Sequence, residues 1–483
     1  MNTQKNMQKT NELPFVEIII VTWNKKKDII KLLTQLQEIS YPTKRYHTTV
    51  VDNHSTDGTC EEIKKKFPLL NLIESEKNLG GAGGFNTGMR WIINNSPEAD
   101  FMWLLDNDVQ IEKFTLKYLV KTMEIYQDAA VCGSRIMNIA NQAELVEAGA
   151  FIDYKKGGIV RNLDTKGRQE KVFSVDYVAA CSLLARVSAV KKMGLWHEKL
   201  FIYWDDLEWG VRFKKHGYKV LSSYESVAYH PSWRTRTFDN SATWRSYYRT
   251  RNSLWFFDGY TSGLHRLALL TIISIRATLL ACKASFQANP YLADAYMNGI
   301  SDFLNNQYGK KSFHYPDQSI DGVIKNKKFK TICIFLTRGK SHEPVKRLVS
   351  NLRKSNPNIN LKIISPETRV ISEEGLKPNS VHYYKTGTDV LSWIIEKLKI
   401  IKYLKTQQWN CLITSRVPPE LGLIWGKEIA VIDFNKGHAF MINKIDPKLA
   451  VKMALQCLNN LIQLFFKMPA SLPAESSADC VHH

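Results

Sequence analysis

An α/β protein, built first on a doubly wound and mostly parallel sheet, is predicted for this 483-residue chain. Three observations predict it. Ile- and Val-rich runs alternate with segments of helical apolar spacing from Val16 onward. The runs end abruptly in polar or acidic residues, where open α/β sheets place their ligands. A second strand–helix rhythm starts at Thr331, after a polar and basic stretch.

The elements follow in order. Val16–Trp23 reads as a strand, and Lys27–Ile39 carries Ile29, Ile30, Leu32, Leu33 and Leu36 at helical spacing. Thr48–Asp52 is a second strand closed by the polar turn 53–58. A charged helix, Thr59–Lys66, leads to a third strand, Asn71–Glu74. A glycine-rich loop at 78–84 precedes a helix over Phe85–Asn94. The apolar run from Phe101 then ends in Asp106-Asn107-Asp108. From about 130 to 235 the pattern loosens into shorter strands. Residues 261–304 read as helical and 305–328 as a linker. The second rhythm, over 329–468, has strands at Thr331–Leu336, Leu361–Ile364, Cys411–Thr414 and Ile429–Asp433. Its final helix, over 447–467, is capped by Asp446-Pro447. Polar tails at 1–13 and 469–483 are expected to be disordered. The first α/β domain is therefore placed at 14–260.

Composition narrows the class. Apolar residues make up 44% of the chain, enough for sizeable cores. The formal charge is +20, which favours anionic partners: nucleic acid, an acidic membrane or a phosphorylated substrate. Eight cysteines contain no CxxC pair, so neither a zinc site nor a disulfide framework is expected, and a reducing compartment is. The polar first ten residues predict no signal peptide. The two most apolar windows, Leu264–Phe286 and Leu449–Phe466, are interrupted by Arg, Lys or Asn, so neither is expected to span a bilayer.

Four constellations carry chemistry. Thr22 and Asn24 close strand one. Asp52 closes strand two, where its carboxylate can accept from a base or ribose, or fold back as an Asx turn. Asn78-Leu-Gly-Gly-Ala-Gly-Gly-Phe85 can offer backbone N–H groups to phosphate at a helix start, or can simply allow close packing. Asp106 and Asp108 supply hard oxygen ligands suited to Mg²⁺ or Mn²⁺ once a turn brings both to one ion. Trp204-Asp-Asp-Leu-Glu208 sets carboxylates among aromatics. Asp205, Glu208 and Arg212 fit an ion-pair ladder, whereas Asp206 points elsewhere with the raised proton affinity of a general base. His230, closing the run 220–229, is either a structural histidine or a third metal ligand.

In this order these residues resemble the family 2 inverting glycosyltransferases of the GT-A fold, over roughly residues 14–260. Within that family the glycine-rich segment, Trp204–Glu208 and Tyr247-Tyr-Arg-Thr-Arg-Asn252 are most similar to bacterial galactofuranosyltransferases. The resemblance implies Asp106, Asp108 and His230 as ligands of Mn²⁺ or Mg²⁺ and Asp206 as catalytic base. It implies Thr22, Asn24, Asp52, Asn78, Gly80, Gly81 and Asn107 as donor contacts, and Trp204 with Asp205 as acceptor contacts. Galactofuranosyltransferases usually carry three consecutive Asp where this chain has Asn107, which leaves the flanking ligands in place.

The implied activity moves galactofuranose from a UDP-sugar to a hydroxyl of a glycan or lipid-linked acceptor in cell-surface glycan synthesis. A rhamnosyltransferase using dTDP-rhamnose and an inactive basic scaffold are the alternatives. Residues 234–283 hold seven Arg and one Lys against two Asp, interleaved with aromatics. That segment reads as a nucleic-acid surface, a membrane-surface segment or a structural helical cap. With transferase motifs upstream, an anionic membrane is the expected partner rather than nucleic acid. The expected location is cytoplasmic, on the inner face of the membrane. The α/β module at 330–440 belongs to no recognised family, and Thr337-Arg-Gly-Lys-Ser341 is either an anion contact or an ordinary turn. Homo-oligomerisation is left open.

Overall fold

The computed structural model describes residues 12–162, 170–232, 240–286, 290–313 and separate stretches from 318 to 467. Both expected tails (apart from residues 12 and 13), most of the 305–328 linker, the Thr337–Ser341 turn, Asp446 and the start of the Arg-rich segment lie outside the described residues.

In chain order the first unit runs β1 Val16–Thr22, α1 Lys26–Leu36, β2 Tyr46–Asp52, α2 Thr59–Lys66, β3 Asn71–Glu74, α3 Gly80–Asn95, β4 Phe101–Asp106, β5 Gln110–Ile111 and α4 Thr115–Ile125. It continues with β6 Ala129–Asn138, β7 Asn141–Glu147, the hairpin β8 Ala150–Asp153 and β9 Gly158–Arg161, β10 Val172–Ser174, β11 Ser182–Arg186, α5 Val187–Met193, α6 Asp205–Lys215 and β12 Lys219–His230. The main sheet has the order β10-β12-β6-β11-β4-β1-β2-β3. Strands β3, β2, β1 and β4 are parallel, as is β12 beside β6. The sheet is not parallel throughout: β11 runs antiparallel between β4 and β6.

The two sheet faces follow the alternation of side chains along each strand. Ile18, Ile20, Trp103 and Leu105 pack with α1 and α4 on one side; Ile19, Met102 and Leu104 pack with α3 and Trp209 on the other. Both faces are covered by helices, as a doubly wound sheet requires. At the carboxyl edge the register sets Thr22 beside Asp52 and Val21 beside Asp106. The order 3-2-1-4 makes the β1/β4 border the switch point, where such sheets open a crevice.

One expectation fails here. The glycine-rich segment is not a loop: α3 begins at Gly80. A Cβ at Gly84 would lie 2.6 Å from Val21 Cγ1, and one at Gly88 would lie 2.5 Å from Ile19 Cγ2. These glycines let the helix lie directly on β1, a close approach that outweighs their poor helix propensity.

Helices α7 Asn240–Tyr260, α8 Gly263–Phe286 and α9 Pro290–Leu304 form a further layer. Trp255, Phe256, Leu269, Ile273, Met297 and Phe303 share one apolar cluster there with Trp204 and Leu207. The boundary expected at residue 260 thus falls between helices that pack together. A seven-stranded second sheet follows, from β13 Gln318–Ser319, β14 Thr331–Phe335, β15 Asn360–Pro366, β16 Ser380–Tyr384, β17 Cys411–Thr414, β18 Glu428–Asp433 and β19 His438–Ile442. The last helix, α10 Pro447–Phe466, returns to pack Leu461 and Leu464 into the α7–α9 cluster.

Candidate active site

Chain reversal after β4 solves the problem posed by two aspartates at i, i+2. Asp106 is the last strand residue, and the turn that follows brings Asp108 round to the same side. Ligand atoms of Asp106, Asp108 and His230 all lie within 4.8 Å of one another, the one such group among the described residues. His230 arrives from the end of β12, its Nε2 3.1 Å from Asp108 Oδ1 and 3.9 Å from Asp106 Oδ2. Its Nδ1 lies 2.8 Å from the Pro231 carbonyl. That bond fixes the tautomer in which Nε2 carries the lone pair, the form a metal ligand needs. Burial alone would lower the imidazole's pKa, but Asp108 and Asp106 outweigh it and raise it. Two carboxylates and one oriented imidazole suit a divalent cation of the Mn²⁺ or Mg²⁺ type.

Asn107 turns inward, its Nδ2 donating to Thr22 Oγ1 over 2.9 Å. The substitution seen at the centre of the acidic motif therefore ties β4 to β1. Asp52 is buried, with Oδ1 accepting from Ser55 N at 2.7 Å and Oδ2 accepting no hydrogen bond among the described residues. One oxygen of Asp52 thus closes a turn, while the other is buried without a hydrogen-bond partner among the described residues. Asn24 is a loop tie, with Oδ1 accepting from Thr56 N at 2.7 Å.

Gly80 is corrected from phosphate contact to packing residue. Its N–H donates to Asn78 Oδ1 at 2.8 Å, and a Cβ would sit 2.1 Å from the Phe201 carbonyl. The neighbouring Leu79 and Ala82 N–H groups are likewise taken, by Asn53 Oδ1 and Phe201 O. The helix start is thus filled by protein acceptors. Gly81 alone of the pair lines the cavity.

That cavity, about 670 Å³, joins the Asp106–Asp108–His230 group to Asp205 and Asp206. The two carboxylates open α6 at its positive end. Asp206 accepts from the backbone N–H of Ala180 at 3.2 Å and of Leu207 at 2.8 Å. Burial, then the charge of Asp205, pushes its carboxyl well above the ordinary range. Asp205 is pushed up to about 6, mainly by burial. Trp204 lines the cavity but lies mostly buried against Phe256 and Phe257, at centroid distances of 5.0 and 5.6 Å. It is a wall more than a contact.

The expected three-member ladder reduces to one pair. Arg212 holds Glu208 in a two-pronged bridge of 3.0 and 2.9 Å, with Tyr260 donating to the same carboxylate and His197 3.4 Å away. Burial would raise Glu208, but Arg212 and His197 prevail and hold it at about 2. Glu208→Gln is therefore expected to cost roughly 3 kcal/mol of stability at neutral pH. Because the folded pKa is depressed, that contribution is complete above the ordinary 4.5 and fades as pH falls towards 2. Urea unfolding of both proteins across this window checks it: the difference should shrink with acid.

Two features escaped the sequence reading. Phe201, Tyr203 and Trp204, just before the paired aspartates, all have left-handed φ of 66–71°. Such strain in bulky residues persists only when neighbours enforce it. Asn252 does so, its Nδ2 donating to the carbonyls of Leu200, Ile202 and Tyr203 at 3.0, 2.9 and 2.8 Å, while Arg251 grips Leu200 O at 3.0 Å. The second is Glu147, buried in the cavity wall with Arg161 and Tyr177 on Oε2 and no partner on Oε1 among the described residues. Asn252 stood in the quoted Tyr247–Asn252 motif; nothing in the pattern around Glu147 marked it.

The family model for glycosyl transferase family 2 matches residues 17–194. Galactofuranosyltransferase GlfT2 of Mycolicibacterium smegmatis is 22% identical over 278 residues, covering 52% of this chain and 42% of that one. Glycosyltransferase AglE of Haloferax volcanii is 25% identical over 227 residues, covering 46% and 69% respectively. The chain thus spans less than half of GlfT2. Among solved structures, a mannosyltransferase of Pyrobaculum calidifontis in complex with GDP-Man and Mn²⁺ aligns at a TM-score of 0.41 and 16% identity, covering 62% of this chain and 89% of that one. The matched segment runs from β1 to the end of α5, through the Asp106–Asp108 turn, and it is this part of the chain that is similar to glycosyl transferase family 2.

Proposed function

We propose that the protein is an inverting glycosyltransferase that moves a sugar, galactofuranose from its UDP donor, to a hydroxyl of a glycan or lipid-linked acceptor. The observation that carries the reading is the convergence, in one cavity, of a three-ligand cation group with a carboxyl of raised proton affinity. Asp106, Asp108 and His230 would hold a divalent cation, which when bound offsets the charge of a nucleoside diphosphate leaving group.

The remaining roles belong to side chains. Asp206 takes the proton of the acceptor hydroxyl as that oxygen attacks the anomeric carbon, and its desolvated site favours holding it. Ala180 and Leu207 N–H groups fix the carboxylate while it waits. Asp52, whose Oδ2 has no hydrogen-bond partner among the described residues, would accept from the base or ribose of the donor at the carboxyl edge of β2. Thr22 and Asn107 brace the acidic turn. Glu147, whose Oε1 has no partner among the described residues, would supply an acceptor for a sugar hydroxyl in the same cavity.

Isothermal titration with UDP tests the reading: binding is expected with Mn²⁺ present and to fall away with chelator. A folded protein that does not bind UDP with Mn²⁺ present is no such transferase. A screen of UDP-galactofuranose against dTDP-rhamnose and UDP-hexopyranoses, read by nucleotide release, tests the sugar.

A further inference from the structure

We infer that the outer face of α8, with the β8–β9 hairpin and α10, is the surface by which the protein lies on an anionic lipid bilayer. The inference deepens, and rests on, the lipid-linked acceptor in the reading above. Helix α8 is long and apolar enough to cross a membrane over Gly263–Ser285. It does not have the free circumference to do so, because Leu269, Leu270, Ile273, Ala277 and Ala281 are buried against α7 and α9. What remains is a one-sided stripe: Ile272, Ile275 and Leu279 are 39%, 41% and 65% exposed, spaced one helical turn apart.

A second stripe lies on α10, which packs against the same cluster through Leu461 and Leu464. Val451, Leu455, Leu458, Ile462 and Phe466 are each more than half exposed, at spacings of 4, 3, 4 and 4 residues. Two neighbouring helices with outward apolar rows exceed what a soluble surface normally leaves bare.

Charge selects the occupant. Neither α8 nor α10 contains an Asp or Glu, while Arg276, Lys283 and Lys452 are exposed on them. The hairpin turn adds exposed Lys155 and Lys156, and its strands add exposed Phe151 and Val160. Arg276 pins this turn to α8 by donating to the carbonyls of Lys156 and Gly157. Of the nearby acids, Asp153 is turned back to the N–H groups of Lys155 and Lys156 at 2.9 Å each, and Asp294 faces Lys452. An apolar stripe rimmed by cations is the composition of a helix lying in an anionic interface. A second copy of the chain pressed on this face would bring like charges together.

The cavity explains why a bilayer here is useful. Gly158 and Ile159 of the hairpin and Ile273, Arg276 and Ala277 of α8 line its wall together with Trp204, Asp205 and Asp206. The acceptor end of the site therefore lies against the proposed surface, and a polyisoprenoid or acyl tail can stay in the membrane while its sugar reaches Asp206.

The test uses the full chain with sedimented vesicles, either phosphatidylcholine alone or mixed with phosphatidylglycerol. Two double variants, Ile275→Glu with Leu279→Glu and Leu455→Glu with Leu458→Glu, replace exposed side chains outside the cavity. The wild type is expected to bind the anionic vesicles, less so with added salt, and each variant to bind at least tenfold more weakly. UDP binding with Mn²⁺ by the same preparations should not change. Absence of wild-type binding to anionic vesicles, or unaltered binding by both variants, overturns the inference, as does loss of a dimer in sedimentation velocity with vesicle binding intact. UDP binding without vesicle binding sinks this inference alone; failure to bind UDP sinks the transferase reading instead.

Discussion

Replacing Asp206 with asparagine is expected to cut turnover by about 10²–10⁴-fold while leaving UDP affinity nearly unchanged. The amide keeps the shape of the carboxylate and can still accept from Ala180 N–H, so the loss falls on proton transfer. The sign of the pH effect follows from the raised proton affinity of this group. A base works only when deprotonated, so kcat/KM should fall as pH drops through a value above the ordinary carboxylate range. Asp205 lies in sequence beside it, and their titrations are linked, so the acidic limb reports the pair. In the Asp206→Asn protein that limb should disappear from the residual rate. Initial-rate measurements from acid to neutral pH check both statements. A near-normal rate removes Asp206 from the chemistry.

The second large effect concerns the cation group. His230→Ala or Asp108→Ala removes one of the three proposed ligands, and metal-supported UDP binding should weaken by more than the ~10–100-fold typical of losing an outer partner. Asn107→Asp makes a useful contrast. It replaces the amide that donates to Thr22 with a group that must accept instead, yet leaves both flanking ligands in place. Its metal dependence should stay close to that of the wild type. Titrations with Mn²⁺ and UDP across the three variants separate loss of a ligand from a general disturbance of the turn.

Much of the fold was legible because its strands are buried on both faces and so appear as unbroken apolar runs. Phe101–Asp106 is the clearest: strands β1 and β11 on either side and helices above and below leave no polar position until the edge. The Asp106–Asp108–His230 group was legible for a related reason. Asp106 and Asp108 follow such a run, His230 closes a long strand, and parallel β4 and β12 deliver their ends to one rim.

The start of α3 was not legible, because propensity argues against a helix opening on Gly80, Gly81, Gly83 and Gly84. What decides it is the tertiary requirement that Gly84 and Gly88 touch β1, which local sequence does not display. Antiparallel β11 was hidden similarly, since an apolar run carries no direction. Asn252 acts on backbone carbonyls some 50 residues away, contacts independent of the identity of Leu200, Ile202 or Tyr203. Glu147 stands on a strand of mixed pattern where a carboxylate reads as surface. The exposed row on α10 was also missed: its helix reads as apolar nearly all round, and only packing of Leu461 and Leu464 tells the inner face from the outer.

Everything proposed for the chemistry depends on one divalent ion shared between the end of β4 and the end of β12. Anomalous scattering from crystals soaked with Mn²⁺ and UDP measures this most directly. The account predicts a single manganese peak within bonding distance of Asp106 or Asp108 carboxylate oxygens and of His230 Nε2, with the diphosphate beside it. UDP seated in the cavity with no manganese between these side chains, or with the imidazole and the carboxylates engaged elsewhere, contradicts it.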